Sequence, residues 1–565
     1  MARLLLTLVA AASCSAQALA APPTLTHIFP AGGQRGTKVT VICKSGPTWP
    51  LAVNAPGVTV VPGTDAGKLE IDIPPDLPTN RIWIRLHNPE GATPALPFLI
   101  GNIKEIEEVE PNNAPREAQV LPGSELTING VLKGADVDGF AVELTAGQTL
   151  VAALDANERI GSPVDAILQV ASREGVVLAE NHDDVGLDPR LTFTAKKAGK
   201  HIIRVFGFSS APNTNIALQG GENFIYRLTL TTGAFVTHTV PMAVSATGEQ
   251  FEPASVEAHG WNIPAGTKLN VVPLGGAPLA ELLEIEPQAD VRNPFDARMG
   301  FAFAPGIAGA ARVRVVPQPV LPTVAKPDPA NPPLLTPPIA VTGWMQTPRQ
   351  DDVYRLQLKQ GQQYLIAVES RSLDFPLETV LRLMEPTGKT VVAENDSPGS
   401  AAPTLLTHAA TQTGEYLLKI RDRNHRAGKG ADGQRCFYRL TVRAEEPDFE
   451  LQGAADMLVV NSDKPTEFVV NVVRRAAPGG AIGPITIQPV DLPPGVVAPP
   501  VTSEPTGPTA AKVTLSFTTT GPAFTGRIKI AGTTSQPKEL RRLVRTPASF
   551  GACFESFWLT AVAKP

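Results

Sequence analysis

Short stretches in which apolar and polar residues alternate dominate this chain. Val39-Thr-Val41, Ile82-Trp-Ile-Arg-Leu86, Phe140-Ala-Val-Glu-Leu144, Leu228-Thr-Leu230 and Val513-Thr-Leu-Ser-Phe517 each place apolar side chains at every second position. A period of two sends successive side chains to opposite faces of an extended backbone, so each stretch predicts a half-buried β-strand. Glycine (48) and proline (56) of 565 residues punctuate the gaps, above an average usage of about 7% and 5%. Sustained 3.6-residue periodicity is missing; the nearest stretch, 278–286, makes one or two helical turns at most. The pattern predicts an all-β chain.

One set of strand phrases occurs twice in the same order. The first copy runs Asp136-Val-Asp138 and Phe140–Leu144, then Gly147, Ala179-Glu-Asn181, Gly199-Lys-His-Ile-Ile-Arg-Val205 and Ile225-Tyr226-Arg-Leu-Thr-Leu230. The second runs Asp351-Asp352 and Tyr354–Leu358, then Gly361, Ala393-Glu-Asn395, Gly414-Glu-Tyr-Leu-Leu-Lys-Ile420 and Phe437-Tyr438-Arg-Leu-Thr-Val442. An internal repeat fixes the architectural unit, here a β module of roughly a hundred residues. It argues against one catalytic domain filling the chain.

Around the repeats the chain divides at composition changes. Residues 1–20 read as a signal peptide, with Arg3, an apolar run from Leu4 to Ala12, and a small-x-small cleavage site at Ala18-Leu-Ala20. A lipidated Cys14 is disfavoured because Ala11 stands where a leucine-like residue belongs. Residues 21–101 form a first β domain, 102–234 the first repeat behind an acidic hinge (Glu105–Glu110), and 235–316 a third β domain. The proline-rich stretch 317–338 predicts a semi-rigid spacer. The second repeat spans 339–446 and a terminal β domain 447–565.

A net charge of −5 gives no reason to expect nucleic acid or anionic lipid as a partner, and no segment is apolar for long enough to span a membrane. Without Cys14, the cysteines Cys43, Cys436 and Cys553 are odd in number and scattered, so they read as small buried side chains and not as a disulfide framework.

The repeat resembles the bacterial pre-peptidase C-terminal (PPC) domain. Val109-Glu-Pro-Asn-Asn113, Asn129-Gly-Val-Leu132, Asp136-Val-Asp138, Glu180-Asn-His-Asp-Asp184 and Ala198–Val205 carry the likeness, over 108–230 and more loosely over 341–442. Pro30-Ala-Gly32-Gly-Gln-Arg-Gly36-Thr-Lys-Val39-Thr resembles the opening of IPT/TIG domains, and Leu492-Pro-Pro-Gly495 resembles a phrase of terminal immunoglobulin-like domains. The resemblance implies tandem β-sandwich domains, immunoglobulin-like and jelly-roll/PPC-like. The domain order is similar to that of non-catalytic secreted bacterial proteins. The chain reads as an exported, non-catalytic binding or structural protein of the cell envelope or extracellular space, displaying rigid modules, spaced by the acidic hinge and the proline stretch, to an extracellular protein or polysaccharide. An accessory subunit docking a separately encoded secreted peptidase or glycan-degrading enzyme is the alternative; a hydrolase site between domains is a further one.

Calcium is the chemistry the residues suggest. A hard cation takes about six to eight oxygen ligands, and Glu108, Glu110, Asn112, Asn113, Asp136 and Asp138 supply carboxylates and amides from two segments one fold could bring together. In the collagenase-type members that this copy resembles, such a leading segment binds calcium and stiffens the linker. The second repeat has Thr347-Pro-Arg-Gln-Asp-Asp352 without the Glu-x-Glu-Pro-Asn phrase, so it is expected not to bind. Asn181, His182, Asp183, Asp184 and Asp188 read as a turn. The eight histidines are scattered singly and no His-Glu-x-x-His or Gly-x-Ser-x-Gly phrase is present, so no catalytic residue is assigned. Tyr226, Tyr438, Tyr364 and Tyr416 read as core.

Overall fold

The computed structural model describes residues 21–44, 49, 51–63, 65–211, 217–245, 254–272, 299–325, 328–396, 402–425 and 435–563. The expected signal peptide with Cys14, and the stretch 278–286, lie outside the described residues. Among the described residues the chain is β-sheet apart from one helical turn in each repeat, Asn157–Ile160 and Arg371–Leu373.

The first unit packs the sheet His27–Phe29, Lys38–Lys44, Lys68–Asp72, Thr59–Pro62 against the sheet Gly32–Gln34, Leu96–Gly101, Arg81–Asn88, Ala52–Asn54. Val41, Leu69, Ile71, Ile82, Ile84 and Phe98 fill the space between them. The last unit is again two sheets, of four and six strands, around Phe449, Val470, Leu515, Phe517, Ile530 and Phe557. Burial in its strand Lys512–Thr519 alternates residue by residue, as an antiparallel sheet with one face in solvent requires.

The two repeats match strand for strand. In the first, one sheet is ordered Glu105–Glu107, Leu126–Val131, Ile225–Thr231, Thr149–Asp155, Arg190–Thr194. The other is Gln119–Val120, Asp138–Leu144, Gly199–Ser209, Val164–Ser172, Val177–Asn181. The second copy repeats both orders, beginning with Val320–Ala325 and Leu334–Leu335. Those two strands lie inside the stretch expected to be a spacer. Each is an edge strand in parallel register with its neighbour (Val320↔Ala340, Leu335↔Leu356), where the missing N–H of proline costs least. The 317–338 spacer is therefore corrected: much of it is sheet.

The 235–316 segment, expected as a third β domain, is all strand in its described elements. Its described strands form a single seven-stranded sheet, with Phe235–Val240 near one end and Ala243–Ser245 at the other. Its residues Met299 and Phe301 join the core of the first unit.

The spaced, extended arrangement is corrected as well, because the units touch in many places. Glu369, 1% exposed, accepts from Arg314 of the third unit at 2.6 Å and from Arg439 of its own repeat. Arg159 and Asp374 join the repeats at 3.1 Å, and Arg435 of the second reaches Asp184 of the first. Arg85 of the first unit meets Asp456 of the last at 2.7 Å.

Candidate metal centre

The site grows from the parallel pairing of Glu105–Glu107 with Leu126–Val131, which holds the acidic hinge against the first repeat. Just beyond it, the Glu108 N–H donates to the Asn129 carbonyl (3.0 Å), and Glu108 Oε1 accepts from the Val131 N–H (2.9 Å). The chain then turns at Pro111. Asn112 is fully buried and locks that turn. Its N–H donates to Glu110 Oε2 at 3.0 Å, and its Oδ1 accepts from the Gly139 N–H at 3.1 Å. The hinge is thus tied to the strand Asp138–Leu144.

Carboxylate oxygens of Glu110, Asp136 and Asp138 lie within 4.8 Å of one another. Asp136 and Asp138 are buried and Glu110 stands at the open rim. Asp136 accepts from the backbone N–H groups of Val137 and Lys133, and from Asn113 Nδ2 at 2.6 Å. Asp138 Oδ2 accepts from the Tyr226 hydroxyl at 2.5 Å, and the same hydroxyl lies 3.0 Å from Glu108 Oε2. Asp138 Oδ1 is buried with no hydrogen-bond partner.

Among the described residues, no Lys or Arg pairs with any of these four carboxylates. Burial, and then the neighbouring Glu108 charge, push the Asp138 carboxyl well above the usual carboxylate range. Burial and the charge of Asp136 raise Glu110. Burial also pushes the Tyr226 phenol up, ahead of Asp138 and Glu108. The pocket gathers four carboxyl groups with no Lys or Arg partner among the described residues, and one buried oxygen, Asp138 Oδ1, has no hydrogen-bond partner. Hard-cation chemistry meets that need, because carboxylate oxygens are what calcium takes.

Of the six residues singled out from sequence, the structure brings Glu110, Asp136 and Asp138 together and sets Glu108 beside them. Asn112 has its oxygen engaged by Gly139, and Asn113 sits on Asp136 through its amide. Sequence reasoning missed Tyr226 as part of the site, having read it only as core. It also missed two glycines. A Cβ on Gly130 would fall 2.6 Å from Glu108 Oε2, and one on Gly139 would fall 2.7 Å from the Asn112 carbonyl. A glycine inside each of two strand phrases was the available signal.

The second repeat shows the same pocket closed. Asp352 occupies the place of Asp138, and Tyr438 donates to its Oδ2 at 2.6 Å. The second partner of Tyr438 is the Tyr354 hydroxyl at 2.7 Å, as Glu108 is the second partner of Tyr226 in the first copy. Gln350, in the place of Asp136, donates to Asp352 Oδ1. Val353 stands in the sequence place of Gly139, where in the first copy a Cβ would fall 2.7 Å from the Asn112 carbonyl. Burial still raises Asp352, to about 6, but both its oxygens have donors.

The other polar phrases are structural. Asp188 accepts from the Ala156, Asn157 and Glu158 N–H groups at the start of the helical turn, and Asn181 Oδ1 accepts from Arg190 N. His238 is stacked on His259 and packed against Phe375 and Phe437. Cys43, Cys436 and Cys553 are buried and none of them is in a disulfide, and Tyr364 and Tyr416 are buried.

No family model matches the chain. No curated protein matches it either. Among solved structures, the chain is similar to the pre-peptidase C-terminal domain of a Bacillus anthracis collagenase at 20% identity, TM-score 0.16, over 21% of this chain and 100% of that one. It is similar to SGBP-B of the Bacteroides ovatus mixed-linkage glucan utilization locus, solved with a heptasaccharide, at 9% identity and TM-score 0.14 over 75% of each chain. It is also similar to the four N-terminal immunoglobulin domains of Dscam1 at 9% identity and TM-score 0.17, over 97% of this chain and 98% of that one. With TM-scores this low, the all-β fold rests on the strand orders above and the function on the site alone.

Proposed function

We propose that this is an exported, non-catalytic binding or structural protein whose first repeat holds calcium at Glu110, Asp136 and Asp138, with Glu108 beside them. The observation that carries the metal reading is Asp138: its Oδ1 is buried without a donor, and its carboxylate groups with those of Glu110 and Asp136 within 4.8 Å. The cation would hold the acidic hinge on the first repeat, and the many contacts between units make the chain one body instead of a string of spaced modules. Its partner would be an extracellular protein or polysaccharide.

Titration calorimetry of calcium into the mature chain tests the site. One saturable event is expected in the wild type, lost in Asp138→Asn and Glu110→Gln and kept in Asp352→Asn. A wild-type chain giving no heat, or an Asp138→Asn chain binding as the wild type does, would sink the metal reading.

A further inference from the structure

The strand Arg81–Asn88 of the first unit is buried on both faces. Ile82, Ile84 and Leu86 point into its own core, but Trp83 is only 3% exposed on the opposite face, and beside Arg81 of its own strand the rings packed on it belong to the last unit. Phe554 meets the Trp83 ring edge-on at 5.1 Å between centroids, and Phe550 meets it at 6.0 Å. Trp558 lies 4.8 Å from the His87 ring. Polar contacts frame the aromatic ones: Arg85 to Asp456 at 2.7 Å, Arg81 to the Phe550 carbonyl at 2.9 Å, and Arg527 to Asn54 Oδ1 at 3.0 Å. Among the described residues no strand is shared between the two units.

Phe550 occupies the first position of a two-residue turn closed by Ser549 and Ala552, with φ of 48° followed by 67° at Gly551. Turns with both central residues at positive φ favour Asn-Gly, because a bulky Cβ is strained there. Such strain persists where the surroundings over-determine it. Here the surroundings come from two other units: Trp83 and Arg81 of the first, and Gly161 of the first repeat, where a Cβ would collide with the Phe550 ring.

We propose that the Ser549–Ala552 turn is a latch. It closes the chain by docking the last unit onto the first unit and the first repeat, and its release opens the chain and bares the Trp83 and Trp558 faces. Among the described residues the latch rests on ring contacts, the Arg85–Asp456 ion pair and the hydrogen bonds of Arg81 and Arg527, so it opens without breaking either sheet.

Small-angle scattering of the mature chain, recorded in calcium and in chelator so that the metal reading is separable, tests this. Arg85→Asp and Asp456→Arg should each raise the radius of gyration and the maximum dimension, and the double exchange should restore the wild-type curve. Phe550→Asn, which suits the turn but removes the ring, should also open the chain while leaving the thermal unfolding of the last unit unchanged or higher. Wild-type curves already extended, single variants superposing on the wild type, or a double exchange as open as the singles would each overturn the latch.

Discussion

The Tyr226 hydroxyl sits 2.5 Å from Asp138 Oδ2 and is the only donor Asp138 has among the described residues, its other oxygen being buried and unmatched. One phenol therefore holds the Asp138 carboxylate in place. Tyr226→Phe should destabilise the chain by about 1–3 kcal/mol, the range for leaving a buried polar group unsatisfied. Urea unfolding in chelator measures it, and calcium should restore part of the loss.

The pH response follows from the raised carboxylates. Asp138 and Glu110 have folded-state pKa values above their ordinary ones, so the folded site binds protons that the unfolded chain releases. Without metal, their contribution to stability is full below the ordinary aspartate value of 3.8 and is lost as pH rises through the raised values. Melting temperature in chelator should fall between mildly acidic and neutral pH, and calcium should reverse the trend as its affinity rises with proton release.

Glu369 carries the opposite sign. Burial pushes it up, but the Arg314 and Arg439 guanidiniums outweigh that and hold it below the usual range. Its stabilisation is present above the ordinary glutamate value of 4.5 and is lost as pH falls through the lowered one. Glu369→Gln strands two buried arginines and should cost about 3–5 kcal/mol, read by chemical denaturation at neutral pH.

Gly139→Val copies Val353 of the second repeat into the first. The added Cβ would lie 2.7 Å from the Asn112 carbonyl, so the hinge should lift off. Calorimetry should show calcium binding abolished, with circular dichroism retaining the β spectrum.

Leu335 distinguishes strand from spacer. It is 4% exposed within the core of the second repeat, and Leu335→Ala should cost about 2–5 kcal/mol. A flexible spacer would lose almost nothing, and a urea midpoint equal to wild type would restore that reading.

The all-β class and the doubled module were legible in the sequence because alternation and turn residues act over a few residues. Lys512–Thr519 needs only its own pattern to be half-buried. The convergence of Glu110, Asp136 and Asp138 was within reach of the sequence, since hinge and strand carry their carboxylates openly, whereas the engagement of Asn112 by Gly139 and of Asn113 by Asp136 was not. Tyr226 was not, because an aromatic in a strand looks like core until its hydroxyl has a partner. The proline-rich 317–338 stretch looked like a spacer because proline suppresses local strand propensity; only the neighbouring edges of the second repeat make it sheet. Trp83 is the same case on the surface, an outward residue on an ordinary strand until another unit covers it.

Sequence alone therefore determined what each segment can be: extended, doubled, acidic at one hinge and lacking a catalytic phrase. Tertiary structure decided which edges pair, which carboxylates converge, and that the last unit folds back onto the first. The division has a physical cause. Backbone propensity and side-chain period are set within a few residues, whereas burial and charge balance depend on partners hundreds of residues away, as Arg85 and Asp456 are.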